Sequence, residues 1–204
     1  MSGKLAAALL TQFESTGELT DLDRVIKLLW EAITLHLVPH PDCGGLLSSL
    51  AEDLWIFQET FDPKDLDSAI KLHHKVLTLQ TTPDPSRIHS PRKLVWCLGG
   101  RYEQLGNMED LDSAIELGLE SLTLLPAPHP GRSAALDILA RHFGEQFEEK
   151  GDGRDLDSTI ELLHKAVALH PGCDDLQSYL ALILQQRFEN SGNTADIDST
   201  IELH

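Results

Sequence analysis

The sequence predicts an all-α solenoid built of antiparallel helix pairs, about four and a half repeats long, and three observations point to it. A short acidic phrase occurs five times, at Asp21-Leu22-Asp23, Asp65-Leu66-Asp67, Asp110-Leu111-Asp112, Asp155-Leu156-Asp157 and Asp196-Ile197-Asp198. Successive copies begin 44, 45, 45 and 41 residues apart, a period that belongs to stacked helical repeats. An aromatic residue stands eight positions before each copy (Phe13, Phe57, Tyr102, Phe147, Phe188), and in four of the five units a Gly stands four positions before it (Gly17, Gly106, Gly151, Gly192). The second unit has Phe61 at that place. Because each unit of a solenoid touches only its neighbours, the 204 residues are expected to form a single array, with units at approximately 3–39, 44–82, 91–127, 131–171 and 173–204.

Each unit opens on a helix A. Leu139, Phe143 and Phe147, and likewise Leu180, Leu184 and Phe188, recur every four residues, which stacks apolar side chains on one helix face. The Gly that follows suits a left-handed C-terminal cap. In the second unit Ser49 and Asp53 fall where apolar residues are expected and Leu50 and Leu54 lie one step along, so that helix A is expected to be slightly rotated. The acidic phrase then marks the start of helix B, where a carboxylate can accept hydrogen bonds from free backbone N–H groups and lies at the positive end of the helix dipole, together worth about 1 kcal/mol. Helix B itself is read from Ile26-Leu29-Ile33, Ile70-Leu77, Ile115-Leu119-Leu122 and Ile160-Leu163-Val167. Proline-rich links (Pro39-His40-Pro41, Pro83-Asp84-Pro85, Pro126-Ala127-Pro128-His129-Pro130 and the shorter Pro171-Gly172) separate one unit from the next, since proline cannot continue a helix.

Two families of helical repeat have nearly this length, and helix B separates them. Four residues after the first Asp stands a small or β-branched residue (Val25, Ala69, Ala114, Thr159, Thr200), eleven after it another that is usually small (Ala32, Val76, Ser121, Ala166), and sixteen after it, in two units, Pro126 and Pro171. This pattern resembles the tetratricopeptide repeat (TPR), lengthened here in helix A and in the links. HEAT repeats match the length without the signature and are the runner-up. Phe13-Glu14 to Gly17, Asp110-Leu111-Asp112-Ser113-Ala114-Ile115 and Pro128-His129-Pro130-Gly131-Arg132 look like the expanded TPR arrays of fungal proteins, and the likeness covers nearly the whole chain. It implies a right-handed superhelix with a concave groove lined by helix A. Such arrays often accompany a CHAT domain, a caspase-like cysteine protease fold, or form the sensor arm of a nucleotide-binding receptor.

The chemistry of the chain narrows its function by exclusion. Acidic residues outnumber basic ones 33 to 16 for a formal charge of −17 spread over every unit, a field that repels phosphate backbones and anionic lipid. A basic or neutral protein surface is the expected partner, with no nucleic acid and no membrane. Cys43, Cys97 and Cys173 are odd in number and widely spaced, which argues for reduced thiols, and no apolar run is long enough for a membrane span. A cytoplasmic protein is expected, with the nucleus as the alternative. An EF-hand loop starting at Asp155 would need Gly at 160 and Glu at 166, where the chain has Ile160 and Ala166. The histidines, His73-His74, His164 and His170 among them, lack zinc spacing, and His40 and His129 sit in links where local hydrogen bonding is their expected role. No G-x-S-x-G, phosphate loop or nucleophile–base pattern occurs, so no enzyme, cofactor or metal is expected. Gly99-Gly100, within the third helix A, is expected to allow close helix packing or a kink.

What remains is a surface. The TPR likeness places groove-facing positions fourteen, ten and seven residues before each first Asp: Ala7, Thr11 and Glu14; Ala51, Trp55 and Gln58; Trp96, Gly100 and Glu103; Arg141, Glu145 and Glu148; Leu182, Gln186 and Glu189. From these, Trp55, Gln58, Trp96, Glu103, Arg141, Glu145, Glu148, Gln186 and Glu189 form the candidate peptide groove, an acidic stripe with two aromatic anchors. An equal expectation is that the acids are a solvated face and the tryptophans inter-repeat core. The expected function is a non-enzymatic scaffold that binds a peptide or helix in that groove; the alternative is the regulatory arm of a larger CHAT-type protease or nucleotide-binding receptor. The last helix B has room for less than two turns before His204, so a longer array, or self-association through the incomplete C-terminal repeat, is expected.

Overall fold

The computed structural model describes positions 66–67, 69–71, 73–74 and 77 and, apart from 128, residues 89–202. Trp55, Gln58, the first two acidic phrases up to position 65 and the first two helix A segments lie outside these residues, as does His40. The chain divides into two compact units, 1–97 and 98–204. In the first, Ala69, Ile70, His73, Leu94 and Val95 are buried. Burial and the neighbouring His74 lower the pKa of His73 to about 4, and burial raises the Cys97 thiol to about 11, which favours its protonated form at neutral pH.

Between residues 89 and 202 the described chain folds into six helices: α1 (His89–Leu105), α2 (Met108–Leu124), α3 (Arg132–Lys150), α4 (Gly153–Leu169), α5 (Asp174–Ser191) and α6 (Ala195–Glu202). There is no strand among the described residues. Links of two or three residues join α1 to α2, α3 to α4 and α5 to α6, while seven residues separate α2 from α3 and four separate α4 from α5. Short links between long helices fold them back as antiparallel neighbours. The helices therefore pair as α1–α2, α3–α4 and α5–α6, and the shorter α4–α5 link accounts for most of the reduced final spacing.

Each turn is made by the predicted glycine. Gly106, Gly151 and Gly192 have φ of 65°, 68° and 71°, and each donates its N–H to the carbonyl of the aromatic four residues back, Tyr102, Phe147 and Phe188, at 2.7 Å. A side chain at this backbone geometry is strained, which explains the recurrence of Gly.

The start of helix B departs from expectation. The cap is not the acidic phrase but the residue three positions ahead of it: Asn107 accepts from the N–H of Glu109 at 3.1 Å, Asp152 from that of Arg154 at 3.1 Å, and Asn193 from that of Ala195 at 3.3 Å. A short side chain directly after the glycine reaches the orphan N–H groups. The first Asp of the phrase therefore sits inside the first helical turn, favoured by the dipole and free to serve elsewhere.

The core of the second unit runs through α2 to α5: Leu111, Ile115, Leu136, Leu139, Ala140, Leu156, Ile160, Leu163, Ala166, Leu176, Leu180, Ile183 and Leu184 are buried in one cluster, edged by Tyr102, Phe143, Phe147 and Tyr179. The small residues of the TPR-like pattern are its tightest points. Ala114, Thr159 and Ala166 are fully buried, and Ser121 nearly so. The Thr159 hydroxyl donates to Asp155 O at 2.8 Å and lies 3.4 Å from Ala140 O in the facing helix, which satisfies a buried polar group.

The proline-rich link before α3 is held by its own side chains. His129 Nδ1 accepts from the N–H of Gly131 at 3.0 Å, the local role expected of it. Arg132 donates to Leu122 O at 2.8 Å and to Leu125 O, supplying partners for carbonyls that the end of α2 leaves open.

Candidate functional site: the helix A face and its corners

On α1, Trp96 is partly exposed, Gly100 is buried and Glu103 is exposed; on α3, Arg141 and Glu148 are exposed and Glu145 is half-buried; on α5, Leu182 and Glu189 are exposed and Gln186 is half-buried. The three acidic residues seven before the phrase, Glu103, Glu148 and Glu189, thus all reach solvent. Leu182, at 59% exposure, is the most open large apolar side chain among the described residues.

Several candidates also have structural duties. The Arg141 guanidinium lies over the Tyr179 ring, 4.9 Å from its centre, and its Nε approaches Asp137 at 3.3 Å, so it bridges α3 and α5. Glu145 pairs with His142 Nδ1 at 3.0 Å, and Glu189 accepts from Gln185 at 2.9 Å. Burial, opposed by Arg141 and assisted by Glu145, Asp137 and Glu148, raises the Tyr179 phenol to about 12. Tyr102, which donates to Glu149 at 3.3 Å, is also shifted upward, by burial and then by Glu149. Both rings therefore sit beside a field of carboxylates.

Two residues that sequence reasoning singled out only for packing, or passed over, bring these helices together. A Cβ on Gly99 would lie 2.4 Å from His142 Cε1, so the imidazole of α3 fills the space a side chain on α1 would need. A Cβ on Gly144 would lie 2.7 Å from the Tyr179 hydroxyl, the corresponding contact of α3 with α5. Gly99 and Gly144 each stand eleven residues before a first Asp, a recurrence visible in the sequence once the repeat is aligned.

The acidic phrase turns out to be a junction. Arg101 donates to both carboxylate oxygens of Asp110, at 2.7 and 2.5 Å, and Arg187 does the same to Asp196, at 3.0 and 2.5 Å. Asp110 and Asp196 are only 4% and 2% exposed, so each fork ties helix A to a buried carboxylate at the start of its own helix B. Arg187 also reaches Asp157, the second Asp of the preceding repeat, at 2.7 Å. Both arginines occupy the position nine before the first Asp. At that position α3 carries Gln146, which reaches back to Asp112 at 2.7 Å, beside Lys150 at 2.8 Å. At Asp110 and Asp196 the first Asp thus binds within its own repeat, and at Asp112 and Asp157 the second binds the repeat that follows.

No family model matches the chain, and no curated protein matches it. Its structure is similar to solved ones. A crystal structure of the MamA protein matches with a TM-score of 0.64 at 14% identity, covering 99% of this chain and 91% of that one. TPR-like repeats of a putative kinesin light chain from Podosopora anserina match with a TM-score of 0.62 at 19% identity, covering 99% and 93%. BtubC from P. vanneervenii matches with a TM-score of 0.55 at 15% identity, covering 99% and 78%. At these identities the likeness concerns the fold. Together with the glycine-capped helix A, the buried small residues of helix B and the short intra-pair turns, it gives this chain a TPR-like fold, an all-α solenoid.

Proposed function

We propose that the chain is a non-enzymatic protein-interaction scaffold whose helix A faces form a groove for an extended peptide or helix of basic character. The observation that carries this is the recurrence of an exposed carboxylate at one position of three successive A helices, Glu103, Glu148 and Glu189, with the open Leu182 on the same row of α5. A preformed face that repeats one chemistry at each step suits a ligand that makes many modest contacts along its length. The acidic balance of the whole chain adds electrostatic steering toward a basic partner.

The test is selection of peptides from a random display library on the intact chain and on a variant with Glu103→Lys, Glu148→Lys and Glu189→Lys together. Lysine- and arginine-rich peptides are expected on the parent, and their binding should fall by about tenfold or more on the triple variant, whose circular dichroism should be unchanged. Selection of acidic peptides, or binding indifferent to the three reversals, overturns the groove.

A further inference from the structure

We infer that the turn between α3 and α4 is a compliant joint built into the array, because Gln146 occupies the position from which an arginine locks the α1–α2 and α5–α6 turns. The three turns share one plan: each has a left-handed Gly and an Asn or Asp cap, and the first Asp follows nine residues after the locking position. At α1–α2 and α5–α6 a guanidinium holds both oxygens of that Asp. At α3–α4 the Gln146 amide reaches back to Asp112 instead, and among the described residues Asp155 receives no side-chain hydrogen bond. The charges that surround Asp155 are mixed: Asp152 and Asp112 oppose it, while Lys150 and Arg154 favour it. Lys150 is engaged with Asp112 and Arg154 with Asp152, both through substantially exposed pairs.

The consequence is directional. The apolar faces of α3 and α4 remain joined by Leu139, Ala140, Leu156, Ile160 and Leu163, so the helix pair stays assembled. What lacks a lock is the first turn of α4. That turn can lift from α3 without exposing an unpaired buried ion, whereas the same motion of α2 would strand the buried Asp110 carboxylate.

Hydrogen exchange of the full chain at neutral pH tests this, because residues 112–115 (Asp-Ser-Ala-Ile) and 157–160 (Asp-Ser-Thr-Ile) are nearly the same sequence at the same helical positions. Amides 157–160 are expected to exchange about tenfold faster than 112–115, since a fork onto a buried carboxylate resists opening more than exposed pairs do. Gln146→Arg should bring the two segments within about threefold of each other, while Gln104→Arg, which adds the same charge at an exposed site on α1, should leave the gap unchanged. Arg101→Gln should raise exchange at 112–115 to the level of 157–160. Equal exchange of the two segments in the parent chain, or a gap that survives Gln146→Arg, overturns the joint.

Discussion

The α1–α2 and α3–α4 turns are built from one sequence plan and secured in two ways. In the first, Arg101 forks onto Asp110, whose side chain is 5% exposed. In the second, Gln146 turns away to Asp112, and the bridge between helices is the Thr159 hydroxyl, shared between Asp155 O and Ala140 O. Where α4 has Thr159, α2 has Ala114, equally buried and without a hydroxyl. The two turns thus differ: an ionic fork secures the first turn of α2, whereas α4 has only a neutral hydroxyl contact one turn further in. A recurring motif in a repeat protein need not perform the same task in each copy: Asp110 and Asp155 are the same residue at the same helical position, and only one of them is a partner in an ion pair.

The comparison breaks most directly under one substitution made twice. Asp110→Asn removes the charge from a buried carboxylate while leaving Arg101 in place, and should lower stability to urea by about 2 kcal/mol, as expected when one member of a buried pair is neutralised. Asp155→Asn should change it by no more than about 0.5 kcal/mol in either direction, because no cation holds that carboxylate. Equal losses at the two sites would mean that the fork contributes nothing beyond the dipole interaction both share.

A smaller effect should separate the turns in the opposite sense. Thr159→Val keeps the shape of a fully buried side chain and removes the hydroxyl, so it should cost about 1 kcal/mol, read by urea unfolding. The reciprocal Ala114→Thr should not recover that amount at α1–α2, where the turn is already locked by Arg101. If Thr159→Val is neutral, the neutral bridge is incidental and α3–α4 rests on its apolar core alone.

Much of this fold was legible in the sequence, because its signals are local. The left-handed glycines at 106, 151 and 192, the aromatic that each glycine bonds, and the small residues Ala114, Thr159 and Ala166 all follow from backbone sterics or packing at a fixed offset from the acidic phrase. The phrase itself was legible as a helix start but misjudged as its cap. Capping depends on reach: Asn107 and Asp152, next to the glycine, lie nearer the first free N–H groups than a residue already within the turn. The forks of Arg101 and Arg187 were hidden for another reason. Their partners are set by how helix A lies across helix B, and a charge pair nine residues apart matches no helical period. Likewise, spacing could rank Arg141 as a groove residue, but only the packing of α3 against α5 shows it stacked on Tyr179.

The finest distinction between the turns lies in how Asp155 titrates. Burial, and then the nearby Asp152, raise its pKa above the ordinary 3.8, whereas the exposed Asp152 is drawn down to about 2 by its bond from Arg154. The signs are opposite. A carboxyl whose folded pKa is raised binds protons more readily in the folded chain, so Asp155 costs stability once ionised in both states, and that cost is relieved as pH falls through its folded value toward 3.8. A carboxyl whose folded pKa is depressed favours the folded chain while ionised, and Asp152 loses that contribution as pH falls from about 3.8 toward 2. Carboxyl titration followed by NMR should therefore find Asp155 protonating first and Asp152 last of the α3–α4 turn. Gln146→Arg should reverse the displacement of Asp155, bringing its pKa below 3.8, because a guanidinium within hydrogen-bond reach stabilises the ionised form more than partial burial penalises it. Should Asp155 stay above that value in the Gln146→Arg protein, the new arginine has not reached it, and residue 146 does not by itself decide whether a turn is locked.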